Sequence, residues 1–446
     1  MEDAIVLYST PDHLNSFTCL AKFIAKRHPS ISVVVFCTAA APPILAAVPS
    51  ITFRRLPTPA LPPNTTYDIL ELYFETPRLN NPIFRQVLAE ISRKSNIRAI
   101  VLDFFCNYAF QVCESFNIPT YYCNTVGAFG VCALLYWPTI HEKTGGELGD
   151  AVEIPGCPVI PSADIPEMQR FPQSLSYKHF LDTAINIQKS AGIIINTFYA
   201  LEPRALEALT NNLCTPNSRI PPVYTMGPFI DVDSAKKNDA VECMRWLDSQ
   251  PSKSVVFLCF GRRGVFSAEQ LREMAAGLEN SGCRFLWAVR NPGAEEADLE
   301  ALLPEGFLER TRERGVVLKS WAPQTEVLSH DSVGVFVTHC GQSSLLEAVW
   351  FGVPMISWPL YAEQKMNRIF MVEEMKVALP VEAAEDGFVT AAELEKRLRE
   401  LMESRRGKEI KRHVAELKVA AAAATAREGG SSLLALDKFM AAVTRV

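Results

Sequence analysis

The chain has 446 residues, 48% of them hydrophobic and 21% charged, which is more than one core comfortably holds, so two domains are expected. Its 44 basic and 50 acidic residues leave a formal charge of −6, and no Lys/Arg cluster stands out, which argues against nucleic acid or a membrane surface as partner. The opening MEDAIVLYST sets two acids before a short apolar run, the reverse of a secretory signal, and no apolar stretch reaches the ~18–20 residues of a membrane span, so a cytoplasmic protein is expected.

In chain order, residues 4–9, 31–39, 97–105 and 118–123 are short, apolar and rich in Val, Ile and aromatics, the pattern of buried parallel strands. Residues 14–27 and 108–116 have the spacing of helices between them, and 193–197 looks like a later strand of the same sheet. The proline-containing stretches 58–67 and 137–181 are expected to be loops, such as could wall a bound molecule. Residues 221–228 and 231–239 turn proline-containing and then polar, which suits a linker. Alternation restarts with a strand at 255–260, a turn at 261–264, and a helix opened by a Ser267/Gln270 capping box and stopped at Gly282. Strands at 285–290, 316–321, 335–338 and 355–358 follow, each trailed by a helix. Thr390 with Glu393 opens another helix, and Gly429-Gly430 precedes a last amphipathic one at 433–443. The twelve cysteines are scattered singly with no C-x-x-C pair, as expected of reduced thiols.

Two runs of strand–helix–strand units imply an α/β protein of two doubly wound, Rossmann-like domains facing a central cleft. The boundaries expected are 1–228, a linker at 229–242, a second domain at 243–425, and a final helix at 426–446 packing back on the first domain. Ligands in such sheets sit at the carboxyl ends of strands beside helix N-termini.

The densest chemical signal is 321–364. The strand at 335–338 ends in His339-Cys340-Gly341, and a helix starts near Ser343. Free backbone N–H groups there, with the Ser343 and Ser344 hydroxyls and the His339 imidazole, make a metal-free diphosphate cradle. Glu347 suits the hydroxyls of a ribose, Trp321 offers a face to a flat base, and Glu363 and Gln364 suit sugar hydroxyls. Taken singly these residues have plain readings, a satisfied strand-end histidine or a core tryptophan; set at the ends of adjacent strands they converge on one site. In the first half, His13 lies in the loop after the first strand, and Asp103 near the end of the strand at 97–105. A neutral imidazole there can take a proton from a weakly acidic hydroxyl, and a carboxylate on its far nitrogen would fix the tautomer. Thr125 follows another strand end and by itself has the plain reading of a turn threonine. No strand is followed by G-x-G-x-x-G with an acid ~20 residues on, so a nicotinamide dehydrogenase is disfavoured.

The stretch 321–364, WAPQTEVLSHDSVGVFVTHCGQSSLLEAVWFGVPMISWPLYAEQ, resembles the signature box of plant secondary-product glycosyltransferases, inverting enzymes of the two-domain GT-B fold. The likeness continues through IVLYSTPDHLNS, IRAIVLDFFCNYAF, WLDSQPSKSVVFLCFGRRGVFSAEQ and LPEGFLERT, which are closest to the branch acting on the flavonoid 7-hydroxyl. The resemblance implies that Trp321 stacks on uracil and Gln324 holds the nucleoside. It implies further that Glu347 binds ribose, His339 and Ser344 the diphosphate, and Glu363 and Gln364 the sugar, with Ala322, Gly341, Ser343, Tyr361 and Thr125 completing the donor set. It gives His13 and Asp103 the catalytic roles. No metal and no cofactor beyond the UDP-sugar co-substrate is implied, and the partners are small molecules bound by a monomer.

Two positions depart from the family. Glucosyltransferases carry tryptophan-asparagine and the glucuronosyl branch arginine-serine where this chain has Gln342-Ser343. Gly261-Arg262-Arg263-Gly264 shares its double arginine with the glucuronosyl branch, and by itself that pair is as readily a solvated one. The expected function is flavone 7-O-glucuronosyl transfer. The alternatives are flavonoid or chalcone glucosyl transfer from UDP-glucose, and a non-catalytic nucleotide-sugar-binding protein on the same fold.

Overall fold

The computed structural model describes residues 2–40, 48–62, 67–230, 241–290, 299–319 and 322–444. The chain divides into two compact units, Met1–Asp231 with Ala423–Val446, and Val232–Ala422. Most of the expected linker at 229–242, and Trp321, lie outside the described residues.

In the first unit the strands are β1 (Glu2–Tyr8), β2 (Ser32–Cys37), β3 (Ile51–Arg55), β4 (Ser95–Asp103), β5 (Thr120–Asn124), a two-stranded ribbon of β6 (Ala151–Val152) and β7 (Ile160–Pro161), β8 (Gly192–Ile195) and β9 (Val223–Thr225). Seven of them form one sheet in the order β3-β2-β1-β4-β5-β8-β9, and every pairing in it is parallel. Both faces are covered, which is why the strands read as unbroken apolar runs. On one face the helices Leu14–Arg27 and Ser431–Thr444 close a single cluster in which Phe17, Leu20 and Ile24 meet Leu436, Phe439 and Met440 over Leu7, Val35 and Val101. Phe439 packs edge-on to Tyr121 and Tyr224, with centroids 4.9 and 5.6 Å away. Ser432 donates to the Gly227 carbonyl, and Arg27 forks onto Asp437 at 3.0 and 2.8 Å.

The second unit holds β10 (Val255–Cys259), β11 (Arg284–Val289), β12 (Gly315–Lys319), β13 (Val333–Thr338), β14 (Met355–Ser357) and β15 (Ala378–Pro380), again all parallel, in the order β12-β11-β10-β13-β14-β15. Both units are thus doubly wound α/β folds whose strand order reverses beside the first strand.

Several local expectations change. The helix expected at 108–116 is a 3₁₀ turn, Phe104–Ala109, followed by a short α-helix, Phe110–Glu114. Of the expected acceptor loops, 58–67 has neither helix nor strand in its described residues, whereas 137–181 begins in the helix Gly127–Thr144, which runs through Pro138, and ends in the helix Leu175–Lys189, with the ribbon, turns and two short helical turns between. The Ser267/Gln270 capping box is half made. The Ser267 hydroxyl takes the Gln270 N–H, while the Gln270 side chain clamps the backbone of Val389 instead, donating at 2.7 Å and accepting at 2.9 Å. Burial of Gln270 explains the exchange, since a buried amide is satisfied by two fixed backbone partners that a helix start open to water does not offer. None of the twelve cysteines is in a disulfide, and no described helix is long and apolar enough to cross a membrane.

Candidate active site

Each sheet brings its chemically marked residues to the same place, the carboxyl edge where strand order reverses and ligands of open α/β sheets bind. In the first unit that point lies between β1 and β4. His13 follows β1 as the residue that caps the helix Leu14–Arg27, yet its side chain makes no capping bond. The imidazole turns to Asp103, the last residue of β4, with Nδ1 2.9 Å from Oδ1. Asp103 is fully buried, whereas His13 keeps 23% of its side chain exposed. The same carboxylate takes the Phe105 N–H on Oδ1 at 3.3 Å and the Thr10 N–H on Oδ2 at 2.9 Å, and the Thr10 hydroxyl donates to Oδ2 as well. Burial alone would push the Asp103 carboxyl up, but His13 and the Thr10 donors outweigh it and hold it below the ordinary carboxylate range. Asp103 therefore stays ionised and orients His13 through Nδ1, which leaves Nε2 as the nitrogen free of the carboxylate. Phe105 stacks on the imidazole at 5.5 Å. Thr125 is buried just beyond β5.

In the second unit the reversal lies between β10 and β13. The helix Gln342–Phe351 starts four residues past the end of β13, and its capping residue Gly341 supplies no side chain, so its first N–H groups carry no side-chain cap. The edge of His339 lies against two glycines. A Cβ on Gly341 would sit 2.6 Å from Nε2, and one on Gly261, which has a positive φ, 2.8 Å from the same atom. His339 and Gln342 are over nine-tenths buried, and His339 Nδ1 and Gln342 Nε2 have no hydrogen-bond partner. Desolvation lowers the His339 pKa to about 4, so it is neutral at pH 7 and offers one N–H. Two orphaned polar atoms at an uncapped helix start suit an anionic ligand.

Around that helix, the Gln324 amide donates to Ser344 Oγ at 3.1 Å and to Glu347 Oε2 at 2.7 Å, which ties three of the expected residues together. Ala322 is buried beside them, and Ser343 is exposed on the helix. Tyr361 lies 6.3 Å from the His339 ring. Gln364 Oε1 accepts from the N–H groups of Leu360 and Tyr361 and so holds that turn, while Glu363 accepts from Asn367 at 3.5 Å. Asn367 also fixes the Cys340 carbonyl at 2.9 Å. Arg262 and Arg263 are both exposed in the turn after β10, which the trio Phe260, Phe266 and Trp358 anchors edge to face. Sequence reasoning did not find Thr10, Phe105, Asn367 or the packing role of Gly261, all of which act through neighbours distant in the chain. Among the described residues no group of three or more His, Cys, Asp or Glu side chains is arranged to hold a metal.

Residues 220–418 match the sequence profile of the family described as "UDP-glucoronosyl and UDP-glucosyl transferase". The chain is 55% identical to the baicalein 7-O-glucuronosyltransferase of Scutellaria baicalensis, over 94% of this chain and 98% of that enzyme. It is 47% identical to the anthocyanidin 5,3-O-glucosyltransferase of a Rosa hybrid cultivar, over 98% of each. Among solved structures, Phytolacca americana UGT2 complexed with UDP-2-fluoro-glucose and pterostilbene superposes with a TM-score of 0.89 at 34% identity, covering 99% of this chain and all of that one. Likeness of this extent over nearly the whole length, on a fold with two doubly wound units, has one meaning: the chain belongs to the family of UDP-glucoronosyl and UDP-glucosyl transferases.

Proposed function

We propose that this transferase, working as a monomer in the cytoplasm, moves a sugar from a UDP donor to the 7-hydroxyl of a flavonoid, with inversion and without a metal. UDP-glucuronate is the first-choice donor and UDP-glucose the second. The observation that carries the reading is the His13–Asp103 pair, a partly exposed imidazole oriented by a buried, ionised carboxylate. His13 Nε2 takes the phenol's proton as the phenolate oxygen bonds to the anomeric carbon. The bond from that carbon to the diphosphate breaks, and its electron pair leaves with UDP. Asp103 stabilises the imidazolium. In the second unit, the N–H groups of the helix Gln342–Phe351, with His339 and Ser344, receive the charge that builds on the diphosphate. Glu347 holds the ribose, Gln324 the nucleoside and Trp321 the uracil; Glu363, Gln364 and Thr125 serve the sugar. Identity to a 7-O-glucuronosyltransferase supports the acceptor position and the donor, and the two arginines after β10 suit an anionic sugar.

Mass spectrometry of products from a small flavonoid panel, with each donor offered separately, tests the assignment. A 7-O-glucuronide formed equally well in chelator supports it. Calorimetric UDP binding with no product from either donor would establish the binding-protein alternative. Gly341→Ala probes the diphosphate cradle. Its new Cβ would meet the His339 ring, and overpacking of that kind costs ~1–3 kcal/mol, so UDP affinity is expected to fall about tenfold or more by calorimetry. Unchanged affinity would take the glycine and the imidazole out of the UDP site.

A further inference from the structure

The loop that carries His13 is pinned at one end by Asp103, which holds Thr10 through its backbone and hydroxyl. Its other end is held by His13 itself, whose N–H donates to the Thr10 carbonyl at 3.2 Å and whose Nδ1 meets Asp103 at 2.9 Å. A further restraint comes from the helix Ile69–Leu79, far away in sequence, where the Tyr73 hydroxyl donates to Asp12, the residue directly before His13. The Tyr73 ring also stacks on Phe105 at 4.8 Å and 26°, and Phe105 stacks on His13 at 5.5 Å and 25°. Phe74, the next residue, closes on Phe105 edge-on at 5.0 Å. One side chain thus reaches the catalytic loop by two routes, a hydrogen bond to its backbone neighbour and a ring stack to the imidazole.

We infer that Tyr73 is a positioning residue for the transfer step, holding His13 at its working distance from the acceptor hydroxyl through Asp12 and Phe105. This rests on the reading of His13 as the base. Tyr73 touches neither reacting atom in the scheme; its effect is on where Nε2 sits when the phenol arrives. Small displacements of a positioned catalytic group can cost up to ~10²-fold in rate, and loss of the Tyr73–Asp12 restraint is expected to cost about tenfold.

The test compares two acceptors, at a pH above the pKa of 4-nitrophenol and below that of 4-methoxyphenol. The first arrives ionised and needs no base; the second needs its proton removed. Tyr73→Phe keeps the ring stack and removes the hydroxyl, and Asp12→Ala removes the acceptor. Both are expected to lower kcat on 4-methoxyphenol about tenfold, to lose less than about twofold on 4-nitrophenol, and to leave the KM for the donor and the Tm unchanged. The double variant is expected to be no worse than either single one, because both remove the same contact. Wild-type kcat in Tyr73→Phe on both phenols overturns the inference. So does an equal loss on both phenols with a lowered Tm, which marks a merely structural bond. His13→Ala is run alongside. If it shows the acceptor dependence and Tyr73→Phe does not, only the role of Tyr73 falls; if His13→Ala shows none, the base reading falls and this inference with it.

Discussion

His13→Ala is expected to lower kcat on a flavonoid by ~10²–10⁴-fold, the usual cost of losing a positioned general base, while UDP binding by calorimetry stays at the wild-type value. Binding survives because the residues proposed to hold UDP belong to the second unit, and His13 belongs to the first. Asp103→Asn is expected to cost less, although the amide cannot serve all four donors that converge on the carboxylate. The Thr10 N–H, the Thr10 hydroxyl, the Phe105 N–H and His13 Nδ1 all point at it, and an amide nitrogen among them has nothing to accept its hydrogens. Both variants should recover in relative terms on an acceptor that is ionised before it binds. Turnover above about half the wild-type rate in His13→Ala would remove it as the base.

The second large effect is expected at Gln342. This residue begins the helix whose N-terminus forms the proposed cradle, and its amide nitrogen is buried with no partner. A neutral amide can serve a hydroxymethyl or a carboxylate at the sugar C6, so selectivity should be modest in the native enzyme, with the exposed Arg262 and Arg263 tilting it toward glucuronate. Gln342→Arg replaces the amide by a charge that pairs with the carboxylate alone. A charge-assisted bond contributes ~1.5–3 kcal/mol, so the kcat/KM ratio of UDP-glucuronate to UDP-glucose should rise by roughly 10–150-fold. Gln342→Trp should move the ratio the other way by removing the polar partner. A ratio that stays flat across the three proteins would show that residue 342 does not read the sugar.

What the sequence made legible follows from how far each feature depends on its own neighbours. The central strands β1, β4, β10 and β13 are buried on both faces and therefore appear as runs of Val, Ile and Leu. Edge strand β3, ITFRR, is mostly accessible and carries no such run, and β9 and β15 are three residues long. The helices Ile69–Leu79 and Gly127–Thr144 were hidden by Pro77 and Pro138, since a proline inside an apolar segment reads as a break. The second of these is buried nearly all round, so it also lacks the periodic polar face that marks a helix. The strand-end residues His13, Asp103 and His339 were legible because the alternating pattern itself places strand ends at the site. The residues that hold them were not. Thr10 meets Asp103 across 93 positions and Gly261 meets the ring of His339, and no local pattern encodes either pairing.

The helix Ser431–Thr444 belongs to the first unit, although all of the second unit is encoded ahead of it. The order of synthesis therefore runs against the order of completion. When residue 231 leaves the ribosome, the first sheet still lacks the helix that covers Leu7, Val35 and Val101, and at ~5–20 residues per second that face waits some tens of seconds for Leu436, Phe439 and Met440. The second unit has all of its residues by then and can fold on the nascent chain while its predecessor is still open. An incomplete chain that stops after the second unit would carry that unit whole and leave an uncovered apolar face on the first, a species for chaperones to hold.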